Sequence, residues 1–523
     1  MRGRVVPAAR GALAALALAA CFERGGKREP PPPPAPAPAP LVADGWRTVE
    51  PTAAAAVDAT VRVALEAEPA TLDPFATLDA ASQRVLGNVV EGLVCASAAG
   101  AIEPCVAATH AVSPDGTRWT FTLDPARRFS DGRAVTAADV VASVDAARGR
   151  GHAPRPLASV LDELVAVTSP APRQVELRFA AARAERAREL ALVPIVPADQ
   201  LAAASLATAP LGTGPFAIAA WDRGTALRLR RVATARRAAG AAILELVLVA
   251  DRADAIRRLV AGELDVVVQV PVADAVATTA AHPGLVRFRY AQPAYLAAVL
   301  NTRRPALATA DERQRLIATL DRDGLARTVL GGAATLTGPF LPDDAAYDPA
   351  VAAVPFVATA PPRPSPPALT VLVPAGSTTT ARIADIWAAD ARGRFALTVA
   401  AVPFAELLAR LARGDFDIAL TSLTAGPDAD PASHLASDAP PDQAWPGLVD
   451  AELDRLFAAR RATTAPEERA ALGRAIHRRV AALAPLAFIA VDTRAGLARA
   501  DIGGVVGDGH GVPPGWRLWR ARP

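Results

Sequence analysis

The sequence predicts an α/β protein on three observations. Short runs that alternate apolar and polar residues recur along the chain. Helical patterns stand between them. One helix–strand unit occurs twice, far apart. Interspersed helix and strand signals point to layered α/β architecture. A unit that occurs twice suggests two α/β lobes.

The strand signals come in order. Val61, Val63 and Leu65 alternate with Arg62, Ala64 and Glu66. Trp119, Phe121 and Leu123 alternate with Arg118, Thr120 and Thr122. Val175, Leu177 and Phe179 repeat the pattern, as do Leu227 and Leu229 against Arg228 and Arg230. Period two turns one face of each strand to a core. Thr136-Ala137-Ala138-Asp139 is a capping box, and Val140, Val141 and Val144 then mark one apolar helical face. Thr464-Ala465-Pro466-Glu467 opens another helix, with Leu472, Ile476, Val480 and Leu483 on one side. Both read as packing helices.

The repeated unit is RLVAGELDVVV at 258–268 and RLARGDFDIAL at 410–420. Each reads as a helix ended by glycine, then a strand opened by an aspartate. Two unrelated copies of a common αβ turn would give the same pattern. The proline-rich stretch 361–367 reads as a surface loop before a strand at 369–373.

The N-terminus is informative. Arg2, Arg4 and Arg10 precede an apolar stretch at 11–20. That stretch is short of the roughly 20 apolar residues a membrane span needs, and reads as a secretory signal. It ends Leu18-Ala19-Ala20-Cys21, which looks like a bacterial lipobox with Cys21 as the lipidation site. The signal peptide is then 1–20, and 21–54 is a Pro/Ala-rich linker, extended and semi-rigid. An ordinary signal peptide with a chance cysteine is the alternative.

Composition excludes several classes. Hydrophobic residues make up 51% of the 523, enough for a large core, and length allows about two to four domains. Lys+Arg number 56 against 53 Asp+Glu, so no nucleic-acid surface is indicated. Lys27 is the sole lysine, which rules out a P-loop in the mature body. H-E-x-x-H and G-x-S-x-G are absent. The six histidines are scattered, without metal-ligand spacing. No catalytic residue, cofactor or metal is therefore expected. With Cys21 set aside, Cys95 and Cys105 flank a turn-forming stretch. They form either a disulfide across a hairpin, favoured in an oxidising compartment, or two buried thiols. The disulfide would contribute about 2–3 kcal/mol.

Further motifs follow in order. Ala67-Glu68-Pro69-Ala70-Thr71-Leu72-Asp73-Pro74 is followed by Asn88-Val89-Val90-Glu91-Gly92. Then come Ser113-Pro114-Asp115-Gly116, Phe129-Ser130-Asp131-Gly132 and Gly212-Thr213-Gly214-Pro215-Phe216. Asn301-Thr302, Leu320-Asp321-Arg322 and Ala484-Pro485-Leu486 continue the series. Taken alone, these are turn and scaffold motifs. In this order they resemble family 5 extracellular solute-binding proteins, the oligopeptide-, dipeptide- and nickel-type receptors of ABC importers. The resemblance spans most of 58–500 and is strongest over 60–230.

It implies a two-lobe periplasmic-binding-protein-like fold of class II, with a hinge and an interlobe ligand cleft. Lobe one would be 55–270 plus 490–523, and lobe two 271–489. The run around Glu68, Thr71 and Leu72 would sit at the cleft. Ser422, Leu423, Thr424 and Asp428 would face it across the cleft. In peptide-binding members an aspartate four residues before an Asp-Pro proline holds the ligand's α-amino group. Here Pro431 is that proline and Pro427 stands at the aspartate position, which puts N-terminal amine recognition in doubt.

The expected function is a lipid-anchored, monomeric receptor on the extracytoplasmic side of a bacterial membrane. It would pass a peptide-like or other small solute to an ABC permease, without nucleic acid and without enzymatic activity. A non-transport envelope receptor is the alternative, and a secreted enzyme a more distant one.

Overall fold

The computed structural model describes residues 42–522 apart from 44–45, 48–49, 51–52, 78, 97–101, 150–160, 162, 184–185, 360, 425–430, 441, 464 and 507–513. The signal sequence, Cys21 and the proline-rich linker lie outside the described residues.

Strand β1 (Thr60–Leu65) opens the first lobe with Val61, Val63 and Leu65 inward. Ala64 is buried too, because a second core covers the other face. The chain then leaves for a four-stranded antiparallel sheet. This comprises β2 (Ala107–Val112), β3 (Arg118–Leu123), β4 (Leu164–Ala171) and β5 (Gln174–Phe179), in the order β2-β3-β5-β4. Helix α1 (Ala137–Gly149) covers it. Trp119, Phe121, Val175 and Leu177 meet Val140 and Val144 in a core of their own. The capping box forms, with Thr136 N donating to Asp139 Oδ2 at 2.9 Å and Asp139 N to Thr136 Oγ1 at 3.3 Å. Cys95 and Cys105 are joined by a disulfide, their Cα atoms 5.6 Å apart.

The chain returns through β6 (Phe216–Asp222), β7 (Ala226–Arg231), β8 (Ile243–Leu248), α2 (Arg252–Val260), β9 (Val266–Val270) and α3 (Val272–Ala281). Strand β10 (Leu285–Leu300) crosses to the second lobe. There follow β11 (Ala368–Pro374), α4 (Thr378–Asp390), β12 (Ala396–Val402), α5 (Phe404–Arg413), β13 (Ile418–Thr424) and α6 (Pro466–Leu483). Strand β14 (Leu486–Arg499) crosses back.

One twelve-stranded sheet carries both lobes, its main path β6-β7-β8-β1-β9-β14-β10-β13-β11-β12. Parallel blocks β8-β1-β9 and β13-β11-β12 lie on either side of the antiparallel pair β14/β10. That pair shifts register between Ala291 and Tyr295 and between Leu296 and Ala297. Phe288 and Tyr290 belong to the first lobe's core, whereas Tyr295 and Ala297 belong to the second's. Helix α3 also packs with the first lobe, through Ala275. Core membership in this stretch therefore follows the crossing strand and not the end of β9. On β14 the change of core comes between Val491 and Ala495.

The repeated unit has the same anatomy in both lobes. Gly262 (φ 79°) follows α2 and Gly414 (φ 68°) follows α5, each in a left-handed conformation that glycine adopts without steric cost. Asp265 Oδ2 then accepts Arg62 N at 2.8 Å, and Asp417 Oδ2 accepts Thr370 N at 2.9 Å. Each aspartate thus pins the start of the neighbouring parallel strand. Asp265 is buried and also paired with Arg520, and Asn301 Nδ2 secures the second unit through Gly414 O (3.0 Å) and Phe416 O (2.7 Å).

Helix α6 buries Ile476, Val480 and, unexpectedly, His477. The His477 ring lies edge-on to Tyr347 at 4.9 Å, with Nε2 3.0 Å from Thr337 Oγ1. Burial pulls its pKa from 6.5 down to about 4, against the opposing pull of Asp348.

Two predictions follow from this packing. Asp265→Ala removes one member of a buried ion pair and should cost about 3–5 kcal/mol in urea unfolding. Asp417→Ala, half-exposed, should cost about 1–3 kcal/mol; equal, negligible losses would refute the shared pinning role. Because the folded pKa of His477 is depressed, its neutral form stabilises the fold fully above pH 6.5. That stability is lost as pH falls from 6.5 through about 4. His477→Gln should flatten the acid limb of the stability profile relative to the parent, and superimposable profiles would sink the assignment.

Candidate functional site

In both lobes, helices begin where the strands of the parallel blocks end. Helices α2 and α3 follow β8 and β9, and α4 and α5 follow β11 and β12. Ligands of open α/β sheets bind at such carboxyl ends. A cavity of about 500 Å³ lies there between the lobes. The first lobe contributes Arg252, Gln269 and Val272, and the second contributes 377–380, Phe404, Thr421 and Ser422. Residues 491–495 of the crossing strand β14 line it between the two.

Asp492 and Arg494 stand two apart on β14, on one face of the strand. Arg494 Nε lies 2.8 Å from Asp492 Oδ1, and Arg494 Nη2 donates to Oδ2 at 2.8 Å. Ser422 Oγ donates to the same Oδ2 at 2.9 Å. This cluster ties β13 of the second lobe to the crossing strand. Beside it, Gln269 holds φ at +56°, in the left-handed region, and donates its N–H to Tyr290 Oη at 2.9 Å. Non-glycine residues held there store strain of about 1–3 kcal/mol and cluster at ligand clamps and switch regions. Burial raises the Tyr290 hydroxyl to about 12, so it stays protonated.

Of the residues singled out from sequence, Ser422 lines the cavity. Thr424 is exposed on the same face of β13. Leu423 lies between them in sequence and points the opposite way, 2% exposed in the second lobe's core. Strand alternation therefore turns its side chain to the face opposite Ser422 and Thr424. Asp428 lies outside the described residues. The run at 67–74 is not part of this cavity's lining. Glu68 instead holds the β6–β7 hairpin, accepting Trp221 Nε1 at 3.1 Å and Gly224 N at 2.9 Å. Thr71 Oγ1 accepts Asp73 N at 3.1 Å, and Leu72 is wholly buried. The run thus builds a turn whose side chains are occupied within the first lobe. Arg252, Gln269, Asp492 and Arg494 were missed by sequence reasoning. Their signal was positional: two stand at the carboxyl ends of β8 and β9, and two on the returning strand.

The other motifs prove to be scaffold. Gly212 and Gly214 press on Val89, whose carbonyl a Cβ on either would overlap. Gly214 N donates to Val89 O at 2.9 Å, and Thr213 Oγ1 to the buried Glu91 at 2.8 Å. The N-V-V-E-G and G-T-G-P-F segments are therefore two halves of one contact. Among the described residues one cluster has the spacing of a metal site, Glu91, Cys95 and Cys105. Its two sulfurs are spent on each other. No helix of the described residues is long and apolar enough to cross a membrane.

Comparison with known proteins accords with this architecture. Over 76 residues, 14% of each chain, the sequence is 42% identical to the periplasmic murein peptide-binding protein MppA of Escherichia coli. Among solved structures, the ABC transporter substrate-binding protein CtaP from Listeria monocytogenes superimposes with a TM-score of 0.79 at 18% identity, covering 89% of this chain and 100% of that one. NikA from Brucella suis, in complex with Fe(III)-EDTA, gives 0.78 at 20% identity, covering 88% and 100%. At such identities the likeness is one of fold. The family model for the middle region of bacterial extracellular solute-binding proteins, family 5, matches residues 101–442. With that match across most of the chain, and the two-lobe sheet that frames it, this protein belongs to the bacterial extracellular solute-binding proteins of family 5.

Proposed function

We propose that this protein is the substrate-binding lipoprotein of an ABC importer, anchored through Cys21 outside the cytoplasm and delivering a small solute to a membrane permease. The observation that carries the reading is the cavity between the lobes, lined from both and from the strand that joins them. A solute that touches both lobes binds their closed arrangement more tightly and shifts the population toward it. The permease would then recognise the closed form. Peptide-like solutes are within its range, but Pro427 offers no carboxylate to a peptide's free amine. Recognition through the N-terminus is therefore not proposed.

A thermal-shift screen of the purified protein against peptides, metal chelates, haem and sugars tests the reading. A solute at a hundred times its Kd should stabilise the fold by about 2.7 kcal/mol and shrink the radius of gyration in small-angle scattering. Silence across all four panels would refute solute capture. Glu68→Ala should cost about 1–2 kcal/mol of stability through its lost hairpin hydrogen bonds and leave the affinity of any hit unchanged. A large loss of affinity without loss of stability would return Glu68 to the binding site.

A further inference from the structure

We infer that the interlobe cavity selects an organic oxyanion, a small solute bearing a carboxylate or phosphate. This rests on the solute-capture reading above and names the chemical class. The charge balance carries it. The ionisable groups that line the cavity, among the described residues, are Arg252, Asp492 and Arg494. Asp492 and Arg494 neutralise each other in a two-point ion pair, and Ser422 occupies a further lone pair of the same carboxylate. Arg252 has no carboxylate or hydrogen-bond partner among the described residues and is exposed to the cavity. Among the described residues the cavity thus presents one uncompensated guanidinium and no uncompensated acid.

The opposite wall supplies donors. Thr421 lines the cavity at 4% exposure, and its hydroxyl has no partner among the described residues. Beside it stand Thr378 and Thr379, in the first turn of the 13-residue helix α4. Backbone N–H groups of a first helical turn lack intrahelical acceptors. Arg252 belongs to the first lobe, whereas Thr421 and α4 belong to the second. An oxyanion held by all three bridges the lobes, and forms its full set of charge-assisted bonds only when they approach. An ammonium group finds no free carboxylate among the described residues that line the same space.

Matched ligand pairs test the inference by calorimetry and thermal shift. The probes are glucuronate against glucose, glucose 6-phosphate against glucose, glutarate against glutaramide, and N-acetyl-dialanine against dialanine amide. Binding confined to acidic members is the expected result, and the carboxylate and phosphate arms show which oxyanion is preferred. Arg252→Gln should weaken that binding about tenfold or more, and Arg252→Lys should restore part of it. As an exposed residue, Arg252 should leave unliganded stability unchanged on substitution. Equal or tighter binding of neutral or cationic members, or full affinity in Arg252→Gln, overturns the oxyanion inference and leaves solute capture standing. Absence of binding by every probe here and in the broader screen overturns both.

Discussion

The antiparallel pair β10/β14 is the constraint on which the rest depends. Every passage of the chain between the two cores runs along one of these strands. Their ladder makes the lobes one sheet, so each parallel block is attached by its inner edge. The ladder is interrupted between Ala291 and Tyr295, where Pro293 has no N–H to give. A second register shift follows between Leu296 and Ala297, and outside 291–297 the pairing is regular. The irregular pairing is thereby confined to a few residues, and the cavity lies beside them.

The two ends of the parallel strands do different work. At their amino ends, Asp265 and Asp417 fasten each strand to its neighbour through backbone N–H groups. Arg520 adds to the first fastening, and Asn301 to the second. At their carboxyl ends the same strands run out into helix starts around open space. A sheet locked at one end can hold polar groups incompletely satisfied at the other. Arg252 is such a group, and Gln269 adds a strained backbone. The repeated unit places this division of labour once in each lobe.

Much of the fold was legible in the sequence. The period-two runs at 61–65, 119–123 and 175–179 became strands with the expected residues inward, because one covered face imposes that period. The capping box formed because Thr136 and Asp139 satisfy each other's N–H groups without outside help. The separate core beneath β2–β5 was not legible, since alternation shows that a face is covered and not what covers it. The hairpin contacts of Glu68 were not legible either. A conspicuous motif marks a position the fold cannot do without, and here that need is the β6–β7 hairpin. The cavity's charged residues come from two distant segments, α2 and β14, so no local pattern could assemble them.

Residues 491–495 line the cavity and also belong to the strand whose pairing with β10 is interrupted there. In the proposed mechanism they sit close to the axis of rotation, where the lever arm is short. A solute atom resting on them keeps its contact through the whole stroke. Such contacts raise affinity in the open and closed forms alike and drive no movement. Torque comes only from atoms that reach outward to the walls. Of two solutes with equal affinity, the one gripped at the axis would remain a silent occupant, and the one gripped at the walls would be the one presented for uptake.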